Sequence, residues 1–186
     1  MIFTSTARVR VLFAVVLLVV SGCASRVPNR TPLGEPLPTV VGEALDGKKV
    51  ELPKDLAGKP AILLLGYVQQ AQFDADRWIM GLLQAKTTVR ILEVPTIKGM
   101  IPGMFAGMID DGMRAGIPSE DWGSVVTLYG SDASTVVALT GNSGGPNMRV
   151  LLVDGDGRIR WFHDRGYSAA KCLELVEAAR TLFPRL

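Results

Sequence analysis

The sequence predicts an α/β fold in which a mixed β-sheet is flanked by helices, with a β-hairpin extension before the first central strand. Ala61 to Leu65 are all apolar, and a short run without alternation indicates a strand covered on both faces. A helical pattern over 70–85 and a strand over 88–95 follow it, and a strand-turn-strand pattern over 148–163 precedes a final helix. With 186 residues and 48% apolar content, we expect one well-buried domain.

The amino end has the features of a signal peptide. Arg8 and Arg10 precede ten apolar residues, Val11 to Val20, which are too few to span a bilayer as a helix. Val20-Ser21-Gly22-Cys23 resembles the lipobox of bacterial lipoproteins, which implies that residues 1–22 are removed and that Cys23 carries a lipid such as palmitate. An ordinary secretory signal with a chance cysteine is the alternative.

This resemblance implies a location in the bacterial cell envelope. Ala24 follows Cys23 where lipoproteins retained at the inner membrane usually carry aspartate, so we expect the outer membrane, facing the periplasm. All 18 acidic residues lie after Cys23, and removing Arg8 and Arg10 leaves as many basic as acidic residues. A neutral mature chain gives no electrostatic reason to expect a nucleic-acid partner. The membrane is the expected partner, through the lipid.

Residues 23–38 are predicted to form a semi-extended tether between the lipid and the domain. Four prolines, Pro28, Pro32, Pro36 and Pro38, lie in this stretch among few large apolar residues. The domain is then expected over residues 39–186.

The domain begins with a predicted β-hairpin. Strands over 39–42 and 49–52 flank Asp46-Gly47, a dipeptide typical of a two-residue turn. After the helix over 70–85 and the strand over 88–95, the chain enters a glycine-rich and methionine-rich segment, Ile97 to Ile117.

The second half continues the alternation of strands and helices. We expect a strand over Val125–Tyr129 and a short helix over Asp132–Leu139 with Ser131 or Asp132 as its cap. Asp154-Gly155-Asp156-Gly157 predicts a hairpin turn, and Ile159 at its sixth position argues against a calcium loop. The final helix is predicted to begin at the Ser168 cap and to bury the face that holds Cys172.

Residues 147–161 carry a family likeness. Asn147 to Trp161 resembles the "LLVD-x-x-G-x-I-x-W" strand-turn-strand of thioredoxin-like proteins, including peroxiredoxins and periplasmic thiol-disulfide proteins. The Ile159-Arg160-Trp161 ending is most similar to the mitochondrial ATP synthase assembly factor family. The resemblance implies a thioredoxin-like domain over 39–186.

Thiol chemistry in that superfamily needs a cysteine at the start of the helix after the central strand, where the helix dipole favours the thiolate. The corresponding residues, 67–73, contain no cysteine, and lipidation would consume Cys23. Cys172 is expected to be an inert apolar residue. We therefore expect a domain that is not an enzyme, needs no cofactor, and acts as a binding or assembly module for an envelope protein. A thiol-disulfide oxidoreductase or peroxidase that uses Cys172 or a partner's cysteines is the alternative.

The candidate cleft lies beyond the carboxyl ends of the central strands, where ligands gather in such sheets. His163 is the only histidine, which argues against a histidine-based metal site and favours a rim residue bonded to a neighbour. The predicted cleft residues are Tyr67, Gln69, Gln70, Gln72, Pro146, Asn147, Arg149 and His163.

The methionine segment gives two further hypotheses. Thioethers are soft ligands for Cu(I), so a copper carrier using these methionines is one alternative. Methionines at helical spacing more often fill a core or form an adaptable contact surface, so a lid or a docking surface is the preferred interpretation. The methionines are Met100, Met104, Met108 and Met113.

Overall fold

The computed structural model describes residues 26–56, 58–99, 103–143 and 145–183, with the backbone alone for 103–105. The predicted signal peptide, Cys23 and Met100 lie outside the described residues. None of the helices in the described part of the chain is long and apolar enough to cross a membrane.

Among the described residues seven strands form one mixed sheet, in the order β2-β1-β5-β4-β3-β6-β7. The central strand β3 pairs in parallel with β4 and antiparallel with β6, and β4 pairs in parallel with β5. The amino-terminal hairpin extends one side through β1 and β5, and the carboxyl-terminal hairpin closes the other. The strands are β1 Val40–Ala44, β2 Lys49–Leu52, β3 Ala61–Gly66, β4 Arg90–Ile97, β5 Val126–Tyr129, β6 Arg149–Val153 and β7 Ile159–His163. This confirms the predicted α/β mixed sheet with a hairpin extension.

In the described part of the chain four α-helices accompany the sheet, and three of them supply residues to its apolar layers. One layer contains Trp78 of α1 and Leu175 of α4, packed on Leu64 of β3. The opposite layer contains Val136 of α3, packed with Leu63. The helices are α1 Gln72–Gln84, α2 Gly103–Gly116, α3 Gly130–Thr140 and α4 Ala169–Leu182, and 3₁₀ turns cover Lys54–Leu56, Gln69–Ala71 and Ser119–Ser124.

Residues 27–37, here named the amino-terminal strap, lie on the side of the sheet that also carries α3. The Val27 N–H donates to the Asn142 side chain, and the Leu37 N–H donates to the Gly157 carbonyl. Leu37 is 4% exposed and belongs to the same apolar layer as Val136. Most of the stretch expected to act as a tether therefore contacts the domain, and the tether prediction applies to the few residues before Val27.

Two details of the helices differ from the sequence prediction. The cap predicted for α3 is wrong, because this helix begins at Gly130 after Tyr129, without a side-chain cap. The Asp132 carboxylate instead accepts the N–H of Val41 in β1 at 2.9 Å, so it joins α3 to the hairpin extension. The cap predicted for α4 is confirmed: Ser168 Oγ accepts the Lys171 N–H at 3.1 Å.

Candidate functional site

The candidate site lies at one edge of the sheet. Gly66 at the end of β3 pairs with Pro95 of β4, and Ile97 at the end of β4 pairs with Tyr129. Because β6 runs antiparallel to β3, Arg149 at its start reaches the same edge, as does the end of β7. We call this the site edge; it is where the central parallel strands end.

The rim of the site edge carries neutral amides. Gln69, Gln70 and Gln72 follow β3 in the 3₁₀ turn and the first turn of α1, and all three side chains are exposed. Gln72 Nε2 donates to Asp76 Oδ1 at 3.3 Å. Amides donate and accept hydrogen bonds but are not nucleophiles, so these positions suit recognition of a polar partner.

Asp74, in the first turn of α1, is a structural link between three segments. The residue is 7% exposed, and its carboxylate accepts the Met148 N–H at 2.9 Å and the Tyr167 N–H at 2.7 Å. These donors lie 74 and 93 residues away along the chain. Charged acceptors make strong hydrogen bonds with buried amides, so Asp74 fixes the start of β6 and the loop before α4 against α1.

Tyr67 and Arg149 form the other side of the site edge. The Arg149 guanidinium carbon lies 5.2 Å from the centre of the Tyr67 ring, a cation–π contact, and the Tyr67 hydroxyl bonds with Thr140 at the end of α3. Burial raises the pKa of Tyr67 to about 12, against the opposing effects of the Thr140 hydrogen bond and the Arg149 charge. Tyr67 is therefore a neutral phenol at physiological pH.

Arg149 is held by neutral acceptors. It is 1% exposed and donates to the carbonyls of Asn147 at 2.8 Å and Ser143 at 2.9 Å, and to Asn29 Oδ1 at 3.1 Å. Its Nε has no hydrogen-bond partner, and no carboxylate forms an ion pair with it among the described residues. Asn29 belongs to the strap and also donates to Asp164 at 3.0 Å. The strap thus helps to enclose this cation.

His163 lies on the opposite face of the sheet from Arg149. Its Nε2 is 2.9 Å from the Gly166 carbonyl oxygen, and its ring centre is 5.9 Å from those of Trp78 and Trp161. This arrangement is that of a half-buried rim histidine bonded to a neighbour. It does not bring His163 into contact with Tyr67 or Arg149.

The loop before β6 supplies the remaining predicted cleft residues. Pro146 is exposed, while Asn147 is half-buried and its carbonyl accepts from Arg149. The Asn147 side chain lies close to Gly166, whose φ of +84° suits glycine. The predicted cleft is therefore a rim around a packed edge, with the glutamines and Pro146 outermost.

Glu93 of β4 is a titratable group that the sequence analysis did not select. It is 7% exposed, and burial raises the pKa of its carboxyl, while a hydrogen bond with Gln72 acts in the opposite direction and Asp76 reinforces the rise. The sequence offered one signal for Glu93, because a charged side chain at this position interrupts an otherwise apolar run of strand residues. The Gln72 contact links it to the rim.

Cys172 lies on the buried face of α4, as predicted. It is 2% exposed, and burial raises the pKa of its thiol. A buried thiol with a raised pKa is a poor nucleophile, because the thiolate is the reactive form.

The methionine segment forms α2, which adds no residue to either apolar layer among the described residues. Polar bonds attach it: Asp110 accepts from the Tyr129 hydroxyl at 2.9 Å, and Arg114 Nε donates to the Leu45 carbonyl at 2.8 Å. Met108 is 65% exposed and Met113 is half-buried, while the side chain of Met104 is not described. Core filler is therefore the wrong interpretation for Met108, and a contact surface agrees with its exposure.

Asp74, Asn29, Thr140 and Tyr167 were not among the site residues predicted from the sequence. One local signal was available for Asp74, because it lies four residues before the fully buried Trp78 and so on the same helix face. A surface depression of 330 Å³ lies at the opposite edge of the sheet, beside Gly58, Asp154 and Phe183, away from the predicted cleft.

Comparison with known proteins shows the fold. No protein-family model and no curated protein matches the sequence. The structure is similar to BsSco, a member of the Sco family of cytochrome c oxidase assembly proteins, at a TM-score of 0.56 and 16% identity over 83% of this chain and 98% of that one.

Two thioredoxin structures are also similar. The thioredoxin domain of a thiol-disulfide oxidoreductase from Bacteroides vulgatus matches at a TM-score of 0.50 and 18% identity, covering 80% of this chain and 97% of that one. The exposed lipoprotein thioredoxin Etrx1 of Streptococcus pneumoniae matches at a TM-score of 0.51 and 14% identity, covering 75% and 98%. At these identities the likeness establishes the thioredoxin-like fold.

Proposed function

We propose that this chain is a lipid-anchored, thioredoxin-like binding or assembly module of the bacterial cell envelope that acts without thiol chemistry. It binds an envelope protein through the site edge, where the rim amides meet the partner. Its anchor is a lipid on Cys23, and its place is the outer membrane, facing the periplasm.

The observation that carries this proposal is the first turn of α1. Thiol chemistry in this fold needs a thiolate there, and neither the first turn of α1 nor residues 67–71 before it contain a cysteine. The polar side chains of this stretch include three glutamines and Asp74. Both Asp74 oxygens accept backbone N–H groups, one buried and one partly buried, so both are already engaged in holding the site edge together. The site edge therefore combines a backbone fixed by Asp74 with exposed hydrogen-bonding side chains, which suits recognition of a polar partner.

The similar structures support the proposal by analogy. BsSco is described as a member of a family of assembly proteins, and Etrx1 as a lipoprotein thioredoxin. Because the identities are only 16% and 14%, these two structures establish the fold alone. The assembly role and the lipid anchor are our inference for this chain.

Photocrosslinking in intact cells tests the proposal. A benzoylphenylalanine at position 70 is placed on the exposed rim, with the same group at the exposed Asp156 of the opposite edge as the matched control. We expect one specific envelope protein to be captured from position 70 and not from position 156, and capture to fall in a Cys23→Ala background. Equal capture from both positions, or capture of nothing from position 70 in a stably folded protein, contradicts the proposal.

The thiol enzyme alternative depends on Cys172. We expect alkylation of Cys172 in the folded protein to be at least ten times slower than in urea, because the thiol is buried and its pKa is raised. We also expect no disulfide reductase activity that Cys172→Ala abolishes. Fast labelling together with turnover that depends on Cys172 would establish the enzyme instead.

The copper alternative depends on α2. Met108 and Met113 are five residues apart and so about 140° apart around a helix, which is unfavourable for shared coordination of one ion. Anaerobic Cu(I) titration against a chelator decides it: tight binding that Met108→Leu weakens would favour a carrier.

A further inference from the structure

We infer that the site edge faces the lipid bilayer, with Phe73 and Val68 in contact with the membrane interface. The inference deepens the proposed function and rests on its lipid anchor at Cys23. It adds an orientation and names the surface on which the anchored domain rests.

The first observation is where the strap begins. Val27 is bound at the site edge, because its N–H donates to Asn142 and its carbonyl accepts from Ser143 and Asn142. Asn29, two residues later, bonds with Arg149 at the start of β6. The strap then runs away from this edge, since Gly34 and Leu37 bond with Ile159 and Gly157 at the far end of the carboxyl-terminal hairpin.

The second observation is the length of chain between the anchor and this point. Four peptide units separate Cys23 from Val27, which span at most about 14 Å when fully extended. The opposite edge lies about 20 Å from the site edge, the length of the six residues of β3. An anchor of this reach holds the site edge near the lipid headgroups and keeps the opposite edge away from them.

The third observation is what the site edge presents. Phe73 is 71% exposed in the first turn of α1, and Val68 is 48% exposed in the loop that leads to it. Arg26 and Arg165, close to the same edge, are exposed cations suited to lipid phosphates. Apolar side chains beside cations are the groups that a membrane interface accommodates.

The consequence is that the rim glutamines face the membrane surface. A partner that reaches them has to be embedded in the bilayer or lie directly on it. A soluble periplasmic protein approaching from the far side meets the opposite edge.

Spin labels on the lipidated protein in nanodiscs test the orientation. The nanodiscs contain phosphatidylethanolamine and phosphatidylglycerol with a small fraction of gadolinium-chelating lipid, and Cys172→Ala removes the buried thiol. A label at Gln70→Cys is compared with a label at Asp156→Cys on the opposite edge. We expect the gadolinium lipid to relax the label at position 70 at least about threefold more strongly than the label at position 156.

The contact itself is tested by a second comparison. The double substitution Phe73→Ser and Val68→Ser should reduce the relaxation at position 70 at least about twofold. Leu83→Ser, which changes a residue that is 59% exposed near the other end of α1, should leave it unchanged. Circular dichroism verifies that each variant is folded.

The outcomes separate this inference from the proposed function. Equal relaxation at positions 70 and 156, or stronger relaxation at 156, overturns the orientation and leaves an anchored module. An unchanged signal in the double variant overturns the contact by Phe73 and Val68. Mass spectrometry of the amino terminus without a lipid on Cys23 overturns both the orientation and the anchored function.

Discussion

Asp74 and Arg149 are two buried charged residues at the same edge of the sheet, one on each face, and they are held in different ways. Asp74 accepts two backbone N–H groups, both from the body of the domain. Arg149 donates to two loop carbonyls and to Asn29 of the strap, and its Nε has no acceptor among the residues that the structure describes. Asp74 is therefore held without the amino end of the described chain, whereas Arg149 takes one of its acceptors from the strap.

The largest expected effect comes from removing the Asp74 carboxylate. Asp74→Ala leaves the Met148 and Tyr167 N–H groups without their acceptor, and we expect the free energy of unfolding to fall by about 3 kcal/mol. Asp76→Ala, two residues later at an exposed position, should change it by less than about 0.5 kcal/mol. Urea denaturation measures both, and similar losses for the two variants would remove the structural role of Asp74.

The next effect tests the strap. Gly141 has a φ of +73°, and an added Cβ would lie 2.2 Å from the Pro28 carbonyl oxygen, so Gly141→Ala displaces the strap. Gly145→Ala is the matched control, because its φ is +83° and no atom of the described neighbouring residues lies within 4 Å of the added Cβ. We expect losses of about 2 kcal/mol at Gly141 and about 1 kcal/mol at Gly145.

Hydrogen exchange distinguishes backbone strain at the substituted glycine from displacement of the strap in these two variants. The amides of Val27 and Arg30, which donate to Asn142 and Thr140, should exchange at least ten times faster in Gly141→Ala and at the wild-type rate in Gly145→Ala. Unchanged exchange in both variants would show that the strap does not depend on its close approach to Gly141.

A smaller change is expected when Arg149 itself is replaced. Because no carboxylate in the described part of the chain pairs with this cation, Arg149→Met removes a desolvated charge together with its hydrogen bonds. We expect the free energy of unfolding to change by less than about 1 kcal/mol in either direction. A loss as large as that of Asp74→Ala, measured by the same urea denaturation, would contradict the contrast between the two residues.

The smallest effect is a shift in titration. The pKa of Tyr67 is raised to about 12, chiefly by burial, so the folded state favours the neutral phenol. Its contribution to stability is present below the unfolded pKa of about 10 and is lost as the pH rises from there towards 12. Tyr67→Phe should remove this part of the alkaline decline.

The Arg149 charge opposes the rise in the Tyr67 pKa, so Arg149→Met should move it still higher. Ultraviolet titration, taken as the difference from the same background with Tyr67→Phe, measures the shift. A lower Tyr67 pKa in Arg149→Met would contradict the observed stacking of the two side chains.

Local patterns were sufficient for most of the fold. The apolar run that became β3 and the turn at Asp154–Gly157 are short-range signals, as is the Ser168 cap of α4. The cap predicted for α3 was wrong because Asp132 bonds with Val41, 91 residues away, and local propensity carries no information about that partner.

The same physical reason limits what the sequence reveals about the site. Arg149 was one of the predicted cleft residues, but its acceptor Asn29 lies 120 residues earlier, in a stretch whose prolines predicted a semi-extended tether. Proline excludes regular helix and central strand, yet it permits an extended segment to lie against a sheet. The burial of Leu37 was the missing information.

The strap also determines how the domain responds to mechanical load. A pull on the amino end of the described chain, directed outwards from the face of the sheet, is borne first by the bonds of Val27, then by Asn29 and Arg30, and only later by Gly34 and Leu37. These bonds are loaded one after another, as in peeling, and the paired strands of the sheet are loaded last. Tension would therefore free the guanidinium of Arg149 from its Asn29 acceptor while the seven-stranded sheet stays intact.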